Sequence, residues 1–288
     1  MSFFSPLRYP GGKNKISKFI DKICQDNNIN GHYIEPYAGG ASVALFLLIT
    51  GRVREITIND LDRAIYAFWF SVVNYSDELC NLVKSVNITT QEWSRQKYIL
   101  DHKKEEKDII KLAFATLFLN RTNFSGILNA GMIGGEKQSG KYKIDCRFNK
   151  QDIIMKIRAI AERGDFIHIT NLDAIDLIDR TSVNNNTIFY FDPPYYLKGP
   201  LLYMNYYKYN DHKSVSNAIK SIKNAKWIVS YDNTDEIQNL YHEYRSINYS
   251  FSHSAGRTRK GNETIFFSNN LMVDTSINPV TLKKEKNK

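Results

Sequence analysis

The run Ile188-Phe189-Tyr190-Phe191 is followed directly by Asp192-Pro193-Pro194-Tyr195. The apolar run predicts a buried strand, and the acidic tetrapeptide then stands at its carboxyl end, where open α/β sheets bind ligands. The two prolines cannot donate ladder hydrogen bonds, so they stiffen the loop and leave its carbonyls turned outward. Asp192 and the Pro193 carbonyl could therefore accept hydrogen bonds from a ligand near Tyr195. The alternative is an ordinary Pro-rich turn with Tyr195 packed on the core.

A second candidate segment is Glu35-Pro36-Tyr37-Ala38-Gly39-Gly40. It connects a predicted strand over 32–34 to a predicted helix over 42–49. A strand, a Gly-containing turn and a helix hold nucleotide-like cofactors in open α/β sheets, because glycine lets the backbone approach the ligand closely. Paired glycines also occur at ordinary turns, so this segment alone leaves both interpretations open.

Asp60 follows the next predicted strand, Ile56-Thr57-Ile58. A carboxylate at the tip of the second strand, about 20 residues after the glycine turn, can accept hydrogen bonds from a ribose diol. The competing interpretation makes Asp60 the N-cap of a helix predicted over 61–73. Asp62 is better placed for that cap, which favours a ligand-binding role for Asp60.

The elements that must position these residues are strands alternating with helices. Apolar runs over 166–169, 188–191 and 227–230 predict strands buried on both faces, as in parallel sheets. Their alternation with helices predicts a doubly wound α/β core over 1–87 and 161–272. The charged, helical pattern between them predicts an inserted, mainly helical subdomain over 88–160. We expect residues 273–288 to form a frayed, disordered basic tail.

Composition limits the class of protein. A hydrophobic fraction of 42% and a charged fraction of 24% are typical of a globular chain. The net charge of +9 favours a polyanionic partner, although a basic surface could also only maintain solubility. Widely spaced Cys24, Cys80 and Cys146 argue against a disulfide framework or a zinc site. With no signal peptide and no apolar run long enough to span a bilayer, we predict a cytoplasmic protein without a membrane segment or metal.

Together these motifs resemble the Dam family (D12 class, alpha type) of S-adenosylmethionine-dependent DNA adenine-N6 methyltransferases. The likeness extends from about Leu7 to Asn269. The segments that carry it are Leu7-Arg8-Tyr9-Pro10-Gly11-Gly12-Lys13, Glu35 to Gly40, Asn59-Asp60, Asn120-Arg121-Thr122-Asn123-Phe124-Ser125-Gly126, Asp192 to Tyr195, and Gly256-Arg257-Thr258-Arg259-Lys260 before a strand over 264–267. The resemblance implies a Rossmann-like methyltransferase fold in which the 88–160 insertion recognises the target.

The resemblance also implies roles for individual residues. The catalytic residues would be Asp192, Pro193, Pro194 and Tyr195. Residues implied to bind S-adenosylmethionine, with S-adenosylhomocysteine as product, are Tyr9, Lys13, Pro36, Tyr37, Gly39, Gly40, Ser42, Asp60 and Asp192. Residues implied to contact DNA are Arg8, Arg121, Asn123, Phe124, Ser125, Asn129, Arg257, Arg259 and Lys260. For three of these positions a structural interpretation competes: Lys13 as a solvated surface lysine, Phe124 as a core residue, and the basic cluster at 257–260 as a solvated loop.

This chain departs from the family pattern at two places. Ala41 stands where relatives often have a second glycine, a tolerable change if its φ is negative. The Asn-x-Pro segment of many relatives is absent, and Gly135 to Lys143 occupies its place. We therefore expect the methyl-transfer chemistry to carry over, while the recognition sequence is left open.

An exocyclic adenine amine is a poor nucleophile because its lone pair is conjugated with the ring. The Asp192 carboxylate and the Pro193 carbonyl, placed on its two hydrogens, would localise the lone pair and stabilise the developing charge. Tyr195 could stack on the base, which must be flipped out of duplex DNA to reach the site. No metal is required for this reaction.

Several alternatives and partners remain open from sequence. An N4-cytosine methyltransferase more often starts its motif with Ser, and an enzyme acting on RNA or protein glutamine more often with Asn. An inactive DNA-binding relative is a further alternative, against which Asp192, Lys13 and Asp60 argue. The expected partner is double-stranded DNA, with or without a cognate restriction endonuclease. The protein would be a monomer or a weak dimer, encoded by a bacterium, plasmid or phage.

Overall fold

The computed structural model describes residues 4–8, 13–197, 207–253 and 259–281, with the side chains of 251–253 and 259–261 left aside. The chain divides into two compact units. What we call the helical unit comprises the described residues within 1–12, 38–41 and 58–172. What we call the sheet unit comprises those within 13–37, 42–57 and 173–288.

Seven strands occur in the described part of the chain: β1 (His32–Glu35), β2 (Glu55–Asn59), β3 (Ile167–Thr170), β4 (Thr187–Phe191), β5 (Lys226–Asp232), β6 (Arg245–His253) and β7 (Arg259–Phe267). They form one sheet in the order β3-β2-β1-β4-β5-β7-β6. β4 pairs in parallel with β1 and with β5, whereas β7 pairs antiparallel with β5 and β6. The prediction of a doubly wound, mostly parallel, Rossmann-like sheet is confirmed.

The central strands are apolar because they are covered on both faces. Every residue of β4 is buried, as are the six residues of β5 that follow Lys226. The prediction of a fully buried strand over 166–169 is wrong, however. β3 starts one residue later, and Phe166 is 44% exposed in a short 3-10 turn. The reason is that β3 is the first strand of the sheet order, so part of it faces solvent.

The helices of the sheet unit are α1 (Ser17–Asp26), α2 (Ser42–Ile49), α8 (Ala174–Arg180), α9 (Tyr209–Ser221) and α10 (Asp235–Leu240). Lys13 lies in a 3-10 turn, Lys13–Ile16, just before α1. α2 has the bounds predicted from sequence. It follows the glycine turn after β1, as the strand-turn-helix pattern indicated.

The helices of the helical unit are α3 (Arg63–Asn74), α4 (Ser76–Ser85), α5 (Thr90–Asp101), α6 (Ile109–Thr122) and α7 (Lys150–Ala161). α6 is central to this unit, since every residue from Leu112 to Thr122 is buried. Asp108 caps its start by accepting backbone hydrogen bonds from Ile110 and Lys111, both of 3.0 Å. Residues 88–160 contain α5, α6 and α7, and the compact unit around them extends from 58 to 172. An inserted subdomain with the bounds 88–160 stays a prediction.

Two further expectations concern the chain ends and membranes. Residues 282–288 of the predicted disordered tail lie outside the described residues, whereas 273–281 include turns at 275–276 and 279–281. Within the described ranges, none of the helices combines the length and the apolar character needed to cross a bilayer.

Candidate active site

The strand order reverses between β1 and β4, which are parallel neighbours with Ile34 opposite Phe189. Such a topological switch point opens a crevice at the carboxyl ends of the two strands, and ligands of doubly wound sheets bind there. β1 ends at Glu35, and β4 ends at Phe191, directly before Asp192. Two of the segments singled out from sequence therefore leave adjacent strands on the same edge of the sheet.

Asp192 is held by contacts on one of its two oxygens. Its Oδ1 accepts a hydrogen bond of 2.7 Å from the Ser230 hydroxyl and lies 3.2 Å from the ammonium of Lys13. The side chain is 21% exposed. Burial raises the pKa of Asp192 to about 6, helped by the nearby Glu263 and opposed by Lys13 and Ser230. At neutral pH the group is mostly a carboxylate.

Lys13 is buried, with an exposed fraction of 7%. Its Nζ donates to Glu263 Oε2 at 2.9 Å and to the Tyr195 hydroxyl, in addition to its ion pair with Asp192. Burial acts to lower the pKa of Lys13, but the two carboxylates outweigh that effect and raise it. The alternative of a solvated surface lysine is therefore wrong. A contact between Lys13 and a cofactor stays a prediction.

Tyr195 is anchored by its hydroxyl and is only 5% exposed. The hydroxyl donates to Glu263 Oε1, and the ammonium of Lys13 lies 5.0 Å from the ring centroid. Tyr249 donates its own hydroxyl to the second oxygen of Glu263. One carboxylate thus receives hydrogen bonds from an ammonium and two phenols. Stacking of Tyr195 on a base stays a prediction.

Two carboxylates that position the site were missed from sequence. Glu263 is 2% exposed in β7, and Asp232, at the end of β5, is 5% exposed. Asp232 accepts backbone hydrogen bonds from Tyr196 and Leu197, each of 2.9 Å, and so fixes the chain just after the acidic tetrapeptide. In the sequence, each of the two is only an acidic residue at the end of an apolar strand or beside one. That pattern is too common to distinguish Glu263 and Asp232 from other acidic residues.

Glu35, at the start of the predicted cofactor loop, is 4% exposed. Its Oε1 accepts hydrogen bonds of 3.0 Å from the Tyr33 hydroxyl and from the Ala44 backbone. Burial raises the pKa of Glu35 to about 8, so the group is mostly protonated at neutral pH. Of the predicted cofactor residues that follow, Pro36 is buried, and the hydroxyl of half-buried Tyr37 lies 3.0 Å from that of Tyr207. Ser42 begins α2.

In the helical unit, Asp60 and the glycine turn are in direct contact. Asp60 Oδ2 accepts from the Gly39 backbone at 3.0 Å and Oδ1 from the Asp62 backbone at 2.9 Å. Desolvation raises the pKa of Asp60 to about 7. Asp62, not Asp60, caps α3, through a hydrogen bond of 2.9 Å from the Ala64 backbone. The N-cap alternative for Asp60 is therefore wrong.

The glycine turn contains one strained residue. Ala41 has a φ of +46°, which residues with a side chain rarely adopt. Gly39 has a nearly equal φ of +45°, which is ordinary for glycine. The condition of a negative φ, under which alanine replaces glycine easily, is not met. The turn is held by the Ala41 backbone donating to the Ala38 carbonyl at 2.6 Å and by the Trp69 indole donating to the Gly39 carbonyl at 2.8 Å.

The predicted DNA-binding segment after α6 is organised by two asparagines. Asn120 accepts from the Arg8 backbone at 2.7 Å and donates to the carbonyls of Arg8 and Gly126. Asn123 is buried, donates to the Ile127 and Leu128 carbonyls at 3.0 Å, and accepts from the Trp93 indole at 2.6 Å. In the free protein the Asn123 side chain therefore holds the loop in shape, and its contact with DNA stays a prediction.

The arginines near this loop differ in environment. Arg121 is 8% exposed and donates from Nε to the Pro6 carbonyl at 2.7 Å. Burial lowers the pKa of Arg121 to about 10, which leaves it cationic. Arg8 is half-buried, and its Nη1 has no hydrogen-bond partner within the described chain. Desolvation and the neighbouring Arg147 lower the pKa of Arg8.

The tip of the loop carries the exposed candidates. Phe124 is 57% exposed, so its alternative as a core residue is wrong. Ser125 follows with a φ of +56°, and Asn129 is exposed. An isolated bridge between Asn123 and Met132 closes the loop. Among the predicted DNA-binding residues whose side chains the structure describes, Phe124 and Asn129 are exposed, and Ser125 and Arg8 are partly exposed.

Of the remaining predicted residues, some lie outside the described part of the chain and others are described only by their backbone. Tyr9 and Arg257 lie outside the described residues. Arg259 and Lys260 belong to the backbone of β7, where Arg259 is paired with His253 of β6. Arg259 and Lys260 therefore lie at the start of a strand, within the antiparallel pair of β6 and β7.

The strand order and the acidic loop at the switch point define the class of protein as a Rossmann-like α/β methyltransferase. Residues 9–253 match the family model for D12 class N6 adenine-specific DNA methyltransferases, and the chain belongs to this family. It is therefore an adenine-specific DNA methyltransferase. The family and activity predicted from sequence are confirmed.

Two individual proteins show the degree of similarity. The Type II methyltransferase M.MjaIII of Methanocaldococcus jannaschii is 25% identical over 209 residues, which cover 66% of this chain and 68% of the relative. A crystal structure of protein LPL1258 from Legionella pneumophila strain Philadelphia 1 aligns with 90% of this chain and 84% of its own. Its identity of 10% and TM-score of 0.33 support no conclusion about function.

Proposed function

We propose that this protein transfers the methyl group of S-adenosylmethionine to N6 of an adenine that is flipped out of duplex DNA. The observation that carries the proposal is the Asp192 carboxylate at the switch point, charged at neutral pH and rigidly held through Oδ1. A fixed acceptor in a site largely shielded from water is suited to an amine that gains positive charge as it reacts. The acidic first residue favours adenine over cytosine N4.

The chemistry of the side chains fits S-adenosylmethionine. Each oxygen of Asp60 accepts one backbone hydrogen bond, and a carboxylate oxygen has room for a second, so Asp60 can receive both hydroxyls of a ribose. Gly39 is held against Asp60 in a conformation that glycine adopts freely. We assign Tyr9, Lys13, Pro36, Tyr37, Gly40 and Ser42 as further cofactor contacts. When bound, S-adenosylmethionine supplies an activated methyl group on a sulfonium.

The residues of this chain orient the amine and stabilise its charge. Asp192 accepts one amine hydrogen through Oδ2, and the Pro193 carbonyl accepts the other. Asp232 holds the two backbone amides that follow Tyr195, so the loop bearing both acceptors keeps its shape. Positioning of this kind supplies much of the acceleration in a transfer between two bound molecules.

For DNA binding we propose two kinds of contact. Arg8 has a buried Nη1 without a partner in the described chain and lies near Arg147, an environment that favours an anionic phosphate. Phe124, exposed at the loop tip, can wedge into the base stack that the flipped adenine leaves. Arg121, Asn123, Ser125 and Asn129 complete the proposed recognition loop, and Arg257, Arg259 and Lys260 contribute phosphate contacts. A restriction endonuclease partner and a monomeric or weakly dimeric state stay predictions.

The proposal is tested by Asp192→Ala. We expect the variant to lose methyl transfer to duplex DNA by a factor on the order of 10² or more, with cofactor affinity changed far less. Tritiated methyl incorporation measures the rate, and calorimetry measures cofactor binding. Mass analysis of nucleosides from the methylated DNA identifies the product. Wild-type rates in the variant would remove Asp192 from the mechanism, and N4-methylcytosine would assign the other base.

A further inference from the structure

Glu263 is a buried carboxylate that the proposed transfer does not use directly. Both of its oxygens are occupied, Oε1 by the Tyr195 hydroxyl and Oε2 by the Lys13 ammonium and the Tyr249 hydroxyl. A buried charge is costly unless it is paired and hydrogen-bonded. Glu263 meets that condition through two groups of the active site, which suggests that its position serves the site as well as the fold.

The electrostatics around Asp192 depend on how Lys13 is shared. Its single ammonium lies 2.9 Å from Glu263 and 3.2 Å from Asp192, so two carboxylates compete for one positive charge. The titratable groups around Asp192 come from strands β1, β4, β5, β6 and β7, from the turn before α1 and from the loop after β4. They are Lys13, Glu35, Tyr190, Tyr195, Tyr231, Tyr249 and Glu263. Burial keeps the pKa values of Tyr190, Tyr231 and Tyr249 well above the usual value, so these phenols stay neutral. Glu35 is mostly protonated at neutral pH.

We propose that Glu263 is a positioning residue for methyl transfer, which orients the Tyr195 ring through its hydroxyl and draws Lys13 partly away from Asp192. The inference rests on the proposed function, in which Asp192 accepts the amine. By sharing Lys13, Glu263 leaves Asp192 a stronger acceptor than it would be with the whole ammonium to itself. By holding Tyr195, it restricts the ring of the catalytic motif to one orientation.

The two parts of this role can be separated by two substitutions. Glu263→Gln keeps the length of the side chain and removes its charge. Glu263→Asp keeps the charge and shortens the side chain by one methylene, so it no longer reaches both Tyr195 and Lys13. We expect kcat to fall by about tenfold or more in both variants, because a misplacement on the order of 1 Å can cost about 10²-fold. The KM for DNA and the affinity for S-adenosylmethionine should change less than about threefold.

The pH profile of kcat distinguishes the variants. Glu263 raises the pKa of Asp192, so its neutralisation in Glu263→Gln should move the acid limb of the profile to lower pH. In Glu263→Asp the charge remains, and the limb should stay near its wild-type position. A variant that is only less stable would instead lose activity at acid pH. Glu236→Gln is the matched control, because it removes the same charge at an exposed position of the same unit. It should change neither kcat nor the position of the acid limb.

A double-mutant cycle tests the coupling to Tyr195. Tyr195→Phe removes the hydroxyl that Glu263 holds, so it and Glu263→Gln should break the same interaction. The loss of kcat in the double variant should therefore be smaller than the product of the losses in the two single variants. Should Glu263→Gln fail to fold, Glu263→Asp and Tyr195→Phe decide the question through the same split between kcat and KM. Wild-type kcat and an unshifted acid limb in Glu263→Gln, or fully multiplicative losses in the cycle, would overturn the inference. The proposed function fails separately, if the wild-type protein itself places no methyl group on adenine.

Discussion

At the scale of residues, the active site depends on how protein groups adjust the ionisation of one carboxylate. Burial and Glu263 push the pKa of Asp192 upward, and Lys13 and Ser230 push it downward, with a result of about 6. In the proposed mechanism the carboxylate form of Asp192 accepts the amine. We therefore expect the rate to fall as pH drops through about 6.

Ser230→Ala tests this dependence. The variant loses the 2.7 Å hydrogen bond that favours the charged form of Asp192, so the pKa of Asp192 should rise. A hydrogen bond of ordinary strength corresponds to roughly half to one pKa unit. The acid limb of the kcat profile should move to higher pH by that amount. Ser216→Ala, at another buried serine of the sheet unit, serves as the control, and an unmoved limb in Ser230→Ala would contradict the assignment.

Glu35 predicts a pH dependence of stability. Its pKa is about 8 in the folded protein, against an ordinary value of 4.5. Between these values the folded state keeps a proton that the unfolded chain releases, so the free energy of unfolding falls as pH rises, by at most about 1.4 kcal/mol per pH unit from this group. Glu35→Gln carries no such proton and should lose less stability on going from acid to neutral pH. Urea unfolding at acid and at neutral pH measures the change in the free energy of unfolding between the two. In the control variant Glu236→Gln this change should equal that of the wild-type protein.

At the scale of elements, the proposed recognition loop after α6 is shaped by backbone geometry and asparagine side chains. Gly126 has a φ of +77°, and a Cβ built on it would lie 2.2 Å from the Arg8 carbonyl. The segment containing Arg8 and the loop tip therefore depend on the absence of a side chain at this position. The exposed Phe124 takes its position from the same turn.

Gly126→Ala should therefore disturb the loop without disturbing the sheet. Strain of this kind costs roughly 1–2 kcal/mol or more, enough to displace the loop or Arg8. We expect the dissociation constant for duplex DNA to rise by about tenfold or more, with S-adenosylmethionine affinity unchanged. Gly131→Ala is the matched control, because its Cβ would meet nothing within 4 Å. Equal DNA affinities for the two variants in a fluorescence anisotropy titration would show that Gly126 does not shape the binding surface.

At the scale of the whole molecule, the net charge of +9 predicts how DNA binding responds to salt. Each phosphate that the protein neutralises releases condensed counterions, so the logarithm of the binding constant should fall linearly with the logarithm of the salt concentration. A footprint of about six phosphates would lose on the order of 10³ in affinity between 50 and 200 mM salt. Asp192→Ala should show the same slope, because Asp192 contacts no phosphate in the proposed mechanism. Salt-insensitive binding would mean that the basic surface only maintains solubility.

What could be predicted from sequence was mostly local. The strand Ile188–Phe191 is apolar because both of its faces are covered, and the acidic motif must then leave the sheet at its carboxyl end. The same reasoning located the glycine turn, the α2 helix and the preference for Asp62 as the cap of α3. The family resemblance rests on these contiguous segments, which the family model matched over residues 9–253.

The tertiary structure decided which distant groups meet and which side chains are exposed. Lys13 and Glu263 are separated by 250 positions in the chain, yet they share an ion pair. The sheet places β7, which carries Glu263, antiparallel to β5 and so one strand away from β4 and the motif that follows it. No local pattern distinguishes Glu263 or Asp232 from other acidic residues near strands. Periodicity also could not place Phe124 in solvent, or turn Arg121 and Asn123 towards backbone carbonyls, since burial is set by packing between elements. The sequence by itself therefore determined the central strands β1, β2, β4 and β5, the motif that follows β4 and the family, whereas the partners that hold Asp192 and Tyr195 in position exist only in the folded chain.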